Sequence, residues 1–383
     1  MTQIKYSILY PILPTSSFYL KDTLPLLLNN QRNDFEVIIS INGPVDNSFR
    51  LPVDDKRVVV VSPEKSLSMN QHYEFILKRA KGEWVQMLGA DDFVTRDYLS
   101  ELDKAIGQSN NFDIFNWSRS YYFWNYPQQI SPTQLDFKVT RSSKRFYKLR
   151  TMLTFIGMLS AFELPQLYTC SIVRRDFISR LIVENQGCFY HSIIPDYYST
   201  IVMLESARRI KALPWPLTWV GTSSSSYGLQ GRVYSDLEKG SLCNRHNHNR
   251  LHENIFMPSH SFSYESFLLL ECLLKFQDAS GKKKPFWRIL LYASSLSDIF
   301  LNAQFGVHKH QLAVFFSNDR VVFSAGVFLA PFAIFLKESS KILSKYSYGL
   351  QVKLRQRYFL PCDSRISPSI ANFIFASKIR RYT

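Results

Sequence analysis

The chain lacks the signals that mark several protein classes. Its five cysteines, Cys170, Cys188, Cys243, Cys272 and Cys362, are scattered singly among 383 residues, with no Cys-x-x-Cys pair. That pattern excludes a zinc knuckle and a disulfide framework and fits a reducing compartment. The opening residues, Met1-Thr2-Gln3-Ile4-Lys5, run into a strand-like segment without a basic stretch followed by an apolar one, so no secretory signal is expected there. Long hydrophobic runs are missing too. The longest uncharged apolar stretch, Val321 to Leu336, contains Pro331 and lies between Arg320 and Lys337. It is short for a membrane span and reads as a buried or interfacial segment. No internal repeat or low-complexity tract is present. Acidic residues are scarce, with 31 Asp and Glu against 46 Lys and Arg, a net charge of +15.

What is there supports a large globular protein. An apolar fraction of 46% in a chain of this length supplies a full core for one large or two medium domains. The positive excess is uneven. From Lys337 to Thr383 there are ten Lys or Arg against Glu338 and Asp363. A basic segment that also carries Phe, Tyr and Leu suits an anionic membrane surface or nucleic acid, or is simply a solvated face.

The first hundred residues alternate short apolar strands with helical patterns. Tyr6 to Tyr10, Phe35 to Ile41, Arg57 to Val61 and Trp84 to Leu88 read as strands. Asp22-Thr23 followed by Pro25 reads as a helix start, and Ser66 or Ser68 caps a second helix with Met69, Tyr73, Ile76, Leu77 and Ala80 on one face, ended by Gly82. This alternation predicts an α/β fold with βαβ units and a mostly parallel sheet. Residues 111–160 are irregular and aromatic-rich, including Trp117, Tyr121, Tyr122, Phe123 and Trp124. They are read as core and pocket wall in preference to stacking platforms for single-stranded nucleic acid. Pro195-Asp196-Tyr197 opens a helix, Pro214 to Val220 is a strand, and Gly221 to Gly231 is a Ser/Gly-rich loop. Helices are expected over 265–276, 286–305 and 321–344.

The fourth strand runs into Met87-Leu88-Gly89-Ala90-Asp91-Asp92-Phe93. In parallel sheets ligands bind beyond the carboxyl ends of the strands. Paired carboxylates there suit a divalent cation that shares its oxygen ligands with a phosphate.

In this setting the N-terminal half resembles the family 2 glycosyltransferases of the GT-A fold. The resemblance follows an ordered set over about residues 4–110, and more loosely to about 230. It comprises Pro11 with Pro14-Thr15, Leu26 to Gln31, Asp34 to Ile39, Asn42 to Ser48, Asn70, Ala80-Lys81-Gly82-Glu83-Trp84, and Leu88 to Phe93. It implies a Rossmann-like GT-A domain flanked by helices, with a nucleotide-sugar half at 1–110 and an acceptor half at 111–235. A helical, basic region follows at 236–383. It also implies an inverting transferase that uses Mg²⁺ or Mn²⁺ and moves a sugar from a nucleotide-diphosphate donor. Asp91 aligns with the family's metal-binding Asp, with Asp92 beside it and His246 as a possible further metal ligand. His248 and His252 lie in the same cluster.

Donor contacts are expected from Pro11, Thr15, Asn42, Lys65, Asn70, Ala90, Asp91, Asp92 and Arg232, with Arg119 a further candidate on position. Asp196 is the expected general base, ahead of Glu163 and Glu205. Two departures stand out: Gly89 and Ile41 each occupy a place where the family has Asp. Gln230-Gly231-Arg232 also lacks the Gln-x-x-Arg-Trp spacing of processive members, which favours single-sugar transfer. The acceptor is expected to be a glycan or lipid-diphosphate-linked glycan of O-antigen or capsule type. The expected setting is cytoplasmic, peripheral on an anionic inner membrane face, with no nucleic-acid partner. A scaffold that binds nucleotide sugar or glycan without chemistry is the alternative.

Overall fold

The structure is a computed structural model that describes residues 3–43, 54–108, 111–124, 144–192, 194–223, 265–301 and 319–355. Its centre is a seven-stranded sheet. The first four strands are β1 (Tyr6–Ile12), β2 (Phe35–Ile41), β3 (Val58–Val61) and β4 (Trp84–Met87), all parallel. β6 (Ile114–Asn116), β8 (Ser171–Arg174) and β9 (Ile210–Ala212) complete it in the order β3-β2-β1-β4-β8-β6-β9. Only β8 runs against its neighbours. A second sheet orders β5 (Phe93–Val94), β10 (Thr218–Thr222) and β7 (Ser120–Phe123) as β5-β10-β7. Because the large sheet crosses position 111, the two halves read from the sequence are parts of one body.

Side-chain alternation along the strands builds two cores. Tyr6, Ile8, Tyr10 and Ile12 of β1 join Phe35, Val37, Ile39 and Ile41 of β2 on one face. They pack there under α1 (Leu20–Leu28) and α3 (Tyr98–Gly107). Leu9, Ile38, Val85 and Met87 point the other way. They meet α2 (Met69–Leu77), α5 (Arg175–Glu184) and α6 (Pro195–Ser206). Two helices of the C-terminal region, α7 (Glu265–Ser280) and α8 (Pro285–Leu301), bury Leu270, Leu273, Phe276, Leu291 and Ile299 in that same core. α4 (Lys144–Phe155) and the long α9 (Arg320–Arg355) finish the described chain.

Several boundaries differ from expectation for physical reasons. α1 begins at Leu20, because a 3-10 turn over Pro14–Tyr19 leads directly into it, and Pro25 therefore lies inside the helix and not in its first turn. Ser68 caps α2 in a reciprocal capping box with Gln71. The strand expected from Pro214 starts only at Thr218, since Pro214 and Pro216 offer no N–H to a ladder. Within the segment expected to be irregular, residues 125–143 lie outside the described residues, and residues 111–124 are not irregular. They form β6 and β7, with Trp117 buried and its Nε1 donating to Thr218 Oγ1 at 2.7 Å. Phe93, Tyr122 and Trp219 pack ring against ring with centroids 5.2 and 5.7 Å apart, so these aromatics are core.

Candidate active site at the carboxyl end of β4

After β4 the chain turns through Leu88 to Asp92. Leu88 N–H donates to Leu9 O at 2.8 Å, continuing the ladder one step, and Asp92 N–H closes the turn on Gly89 O at 3.1 Å. Thr23 Oγ1 of α1 donates to Ala90 O at 3.0 Å and holds the turn from below. Asp92 is 1% exposed. Its Oδ2 accepts from Gly89 N–H at 2.7 Å, and its Oδ1 accepts from Gly221 N–H of β10 at 2.8 Å. Burial first and the charge of Asp91 second push its carboxyl up to about 7. Asp92 was expected as a metal ligand beside Asp91. Each of its oxygens accepts one backbone N–H, so Asp92 also clips the turn to β10.

Asp91 is the outward member of the pair, half-buried. Ser223 Oγ donates to its Oδ2 at 2.7 Å, and Trp124 Nε1 donates to its carbonyl at 2.9 Å. β10 lies directly on its backbone. A Cβ added to Gly221 would fall 1.9 Å from Asp91 O, so only glycine fits. Gly221→Ala is expected to push β10 off the turn and weaken the Asp92 clip. Overpacking of this kind costs about 3 kcal/mol or more, read as a lowered midpoint in urea unfolding with the slope unchanged.

Gly89 also has a local reason. A Cβ there would sit 2.7 Å from Tyr168 Oη and 3.0 Å from a carboxylate oxygen of each of Asp91 and Asp92. The carboxylate that the motif lacks is excluded by the Tyr168 hydroxyl and by charge already in place.

Asp196 faces this corner from the first turn of α6, where Pro195 occupies the helix start. Its Oδ1 is buried without a hydrogen-bond partner. Burial pushes its carboxyl up to about 6, partly opposed by Arg119. The Arg119 charge acts on both Asp92 and Asp196 and so lies within electrostatic reach of each. The guanidinium bonds Gln166 Oε1 and stacks over Phe162 with its centre 4.5 Å from the ring centroid. Tyr168 feels Asp91, Asp92 and Asp196 together, and burial pushes its hydroxyl pKa well up, leaving it a neutral donor.

Asp196 is held from several sides. Ser199 Oγ donates to Asp196 O at 2.8 Å and accepts from Leu167 N–H at 3.1 Å, which ties α6 to the turn carrying Gln166 and Tyr168. The approach to α6 is pinned by two buried glutamates. Glu74 of α2 accepts from the N–H groups of Phe189 and Tyr190 at 2.9 and 3.1 Å. Glu271 of α7 accepts from Ser192 Oγ at 2.6 Å.

The other expected residues divide. Pro11 lies in β1 and Thr15 in the 3-10 turn after it, close to the strand ends. Asn42 follows β2, but its carboxamide is already engaged: Nδ2 donates to Leu67 O and Oδ1 accepts from Leu67 N–H, both at 2.8 Å. Asn42 thus stitches β2 to the segment before α2. Lys65 is exposed on that segment. Asn70 lies in the first turn of α2, accepts from Ser68 Oγ at 2.7 Å, and lines a cleft of about 690 Å³ with Glu74, Tyr190, His191 and Glu271. Glu205, the weaker base candidate, is paired with Lys284 at 2.9 Å. Arg232, His246, His248 and His252 lie outside the described residues.

Sequence reasoning did not single out Gln166, Tyr168 or Gly221, because none sits in a motif and each acts through a contact distant in sequence. Ser223 carried one signal, its membership of the Thr222 to Ser226 hydroxyl run.

Among the described residues no cluster of three or more His, Cys, Asp or Glu groups forms a metal cage. The donor set still suits a cation that takes one protein carboxylate and completes its shell with diphosphate oxygens and water, as Mg²⁺ does. Asp91 is the residue that would hold it.

Residues 17–176 match the family model described as Glycosyl transferase family 2. A curated protein of Methanocaldococcus jannaschii, described as an uncharacterized glycosyltransferase, is 24% identical over 140 residues, which cover 34% of this chain and 47% of that protein. The chain therefore spans about half the length of that relative. Among solved structures, residues 1–349 of S. aureus TarS in complex with UDP-GlcNAc superpose with a TM-score of 0.45 at 16% identity, covering 88% of this chain and 92% of that one. The UDP complex of the same protein gives 0.43 at 15% identity, with 88% and 91% covered.

Proposed function

We propose that the protein moves a sugar, with inversion, from a nucleotide-diphosphate donor to an acceptor hydroxyl, a reading supported by the match of residues 17–176 to the family 2 glycosyl transferase model. The observation that carries this reading is that Asp91, Asp92 and Asp196 all act on the buried Tyr168 hydroxyl, with Arg119 acting on both Asp92 and Asp196.

The chemistry assigns itself by environment. Asp91 lies at the strand end, where a diphosphate is received. A divalent cation bound there, Mg²⁺ or Mn²⁺, would supply charge neutralisation to the departing diphosphate. Tyr168 and Arg119 offer a neutral and a cationic donor beside it. Asp196 is raised toward neutrality and its Oδ1 awaits a partner. That suits a base that takes the proton from the acceptor hydroxyl as its oxygen bonds to the sugar C1. The C1–O bond to phosphate breaks as the new bond forms, and the nucleoside diphosphate leaves with the electron pair. Attack from the face opposite the leaving group inverts the anomeric centre.

We place the acceptor among glycans or lipid-diphosphate-linked glycans of cell-surface polysaccharide synthesis, a reading supported by the basic segment from Lys337 onward. NMR of the product's anomeric proton tests the stereochemical claim. Inversion relative to the donor is expected, and a retained configuration would contradict Asp196 as base.

A further inference from the structure

We propose that α9 rests on an anionic membrane surface, with Val321, Phe328, Phe332 and Phe335 turned toward the lipid. This inference reads no catalysis and stands apart from the transferase reading.

The four side chains are 80%, 84%, 55% and 66% exposed, although all are large and apolar. Their spacings of seven, four and three residues place them on one face of a helix. At 1.5 Å per residue the row is about 21 Å long. Single exposed apolar residues need no explanation, but a continuous row of this size marks an interaction surface.

The opposite face of the same helix is already in use. Val322, Ala330 and Ala333 are buried. Lys337 is also buried, pairing with Asp298 of α8 at 2.7 Å and donating to Ser294 O at 2.8 Å. Tyr292 of α8 and Phe323 meet edge to face, and Arg288 pairs with Asp319 just before the helix. By length and composition alone, Arg320–Ser340 could cross a membrane. A spanning helix would have to tear Lys337 from Asp298 and expose the inner face to lipid. A helix lying in the interface keeps both faces satisfied.

Charge selects the partner. The sequence from Lys337 onward carries ten basic residues against two acidic ones. Such a segment, following the apolar stripe in sequence, complements anionic headgroups over acyl chains. A second copy of this chain would bring the same positive charge to the contact, which disfavours self-association through it.

The test is sedimentation of the full-length protein with phosphatidylcholine vesicles, alone or mixed with phosphatidylglycerol. The wild type is expected to partition at least tenfold better onto the anionic vesicles. Phe328→Ser/Phe332→Ser/Phe335→Ser is expected to lower that partitioning at least tenfold with little change in melting temperature, because these side chains face outward. Lys353→Glu/Arg355→Glu/Arg357→Glu keeps the apolar row, provides an arm independent of its folding effects, and is expected to abolish the preference for anionic vesicles. Equal binding to both vesicle types, or an unchanged triple Phe variant, would overturn the proposal. So would a dimer in sedimentation velocity that the triple Phe variant dissociates, if the wild type ignores vesicles.

Discussion

Asp196→Asn is expected to lower transfer about 10³-fold, the scale of a general base in proton transfer, while leaving donor binding intact. The substitution keeps the side-chain shape and removes the proton acceptor. In the wild type, activity should rise as pH increases through about 6, because Asp196 works only when ionised and burial holds its carboxyl up to about 6.

The same shift gives a second readout in the folding equilibrium, which tests the burial of the acid. The folded pKa lies above the unfolded value near 4, so the folded state binds the extra proton. Ionisation therefore does not weaken the fold below about pH 4. Its cost grows between pH 4 and 6 and is complete above that, at about 2–3 kcal/mol for a shift of this size. Stability of the wild type should fall over this window relative to Asp196→Asn, as measured by urea unfolding at pH 4, 5, 6 and 7. A site that sacrifices stability for a poised base behaves in this way. Parallel stability curves for the two proteins would show that Asp196 is ordinary.

The second large effect is expected at Asp91. Asp91→Asn retains an oxygen to accept from Ser223, whose Oγ lies 2.7 Å from Asp91 Oδ2, so the turn should hold and the melting temperature should move by no more than about 3 °C. What disappears is the negative charge that would hold a cation against the diphosphate. Loss of one preorganised electrostatic contact at a leaving group lowers turnover about 10²- to 10³-fold, and the residual rate should respond little to Mn²⁺. Asp92→Asn should behave differently. An amide cannot accept equally well from both Gly89 and Gly221 N–H groups, whose distances to the carboxylate are 2.7 and 2.8 Å, so its first symptom should be lost stability.

The contrast between the two aspartates also shows where sequence reasoning reached its limit. The short apolar runs Tyr6 to Tyr10 and Phe35 to Ile41, and the helix-start signals at Ser68 and Pro195, are local, and the strands and helices they predict are present. The position of Asp91 at the end of β4 followed from that same local pattern. The division of labour between Asp91 and Asp92 did not, because it depends on β10, more than a hundred residues later, delivering Gly221 N–H to one neighbour and Ser223 to the other. Asn42 shows the same limit: a polar residue at a strand end looks available until Leu67 folds against it. Gly89 reads as a defect in the acidic motif, yet the space its side chain would need is filled by Tyr168. Arg119 could be proposed from position, but its reach to two acids emerges only when the start of β7 and α6 come near the same corner.

The central claim is that the carboxyl end of β4 receives a nucleotide-sugar diphosphate through Asp91. Titration of a panel of nucleoside diphosphates into the wild type and Asp91→Asn, with and without Mn²⁺, tests it most directly. A ligand confined to the native state raises the melting temperature in proportion to the logarithm of its saturation. At least one nucleoside diphosphate should bind the wild type more tightly with Mn²⁺ than without, and Asp91→Asn should abolish that Mn²⁺ enhancement. Failure of every nucleotide to bind, or an undiminished Mn²⁺ enhancement in Asp91→Asn, would contradict the account.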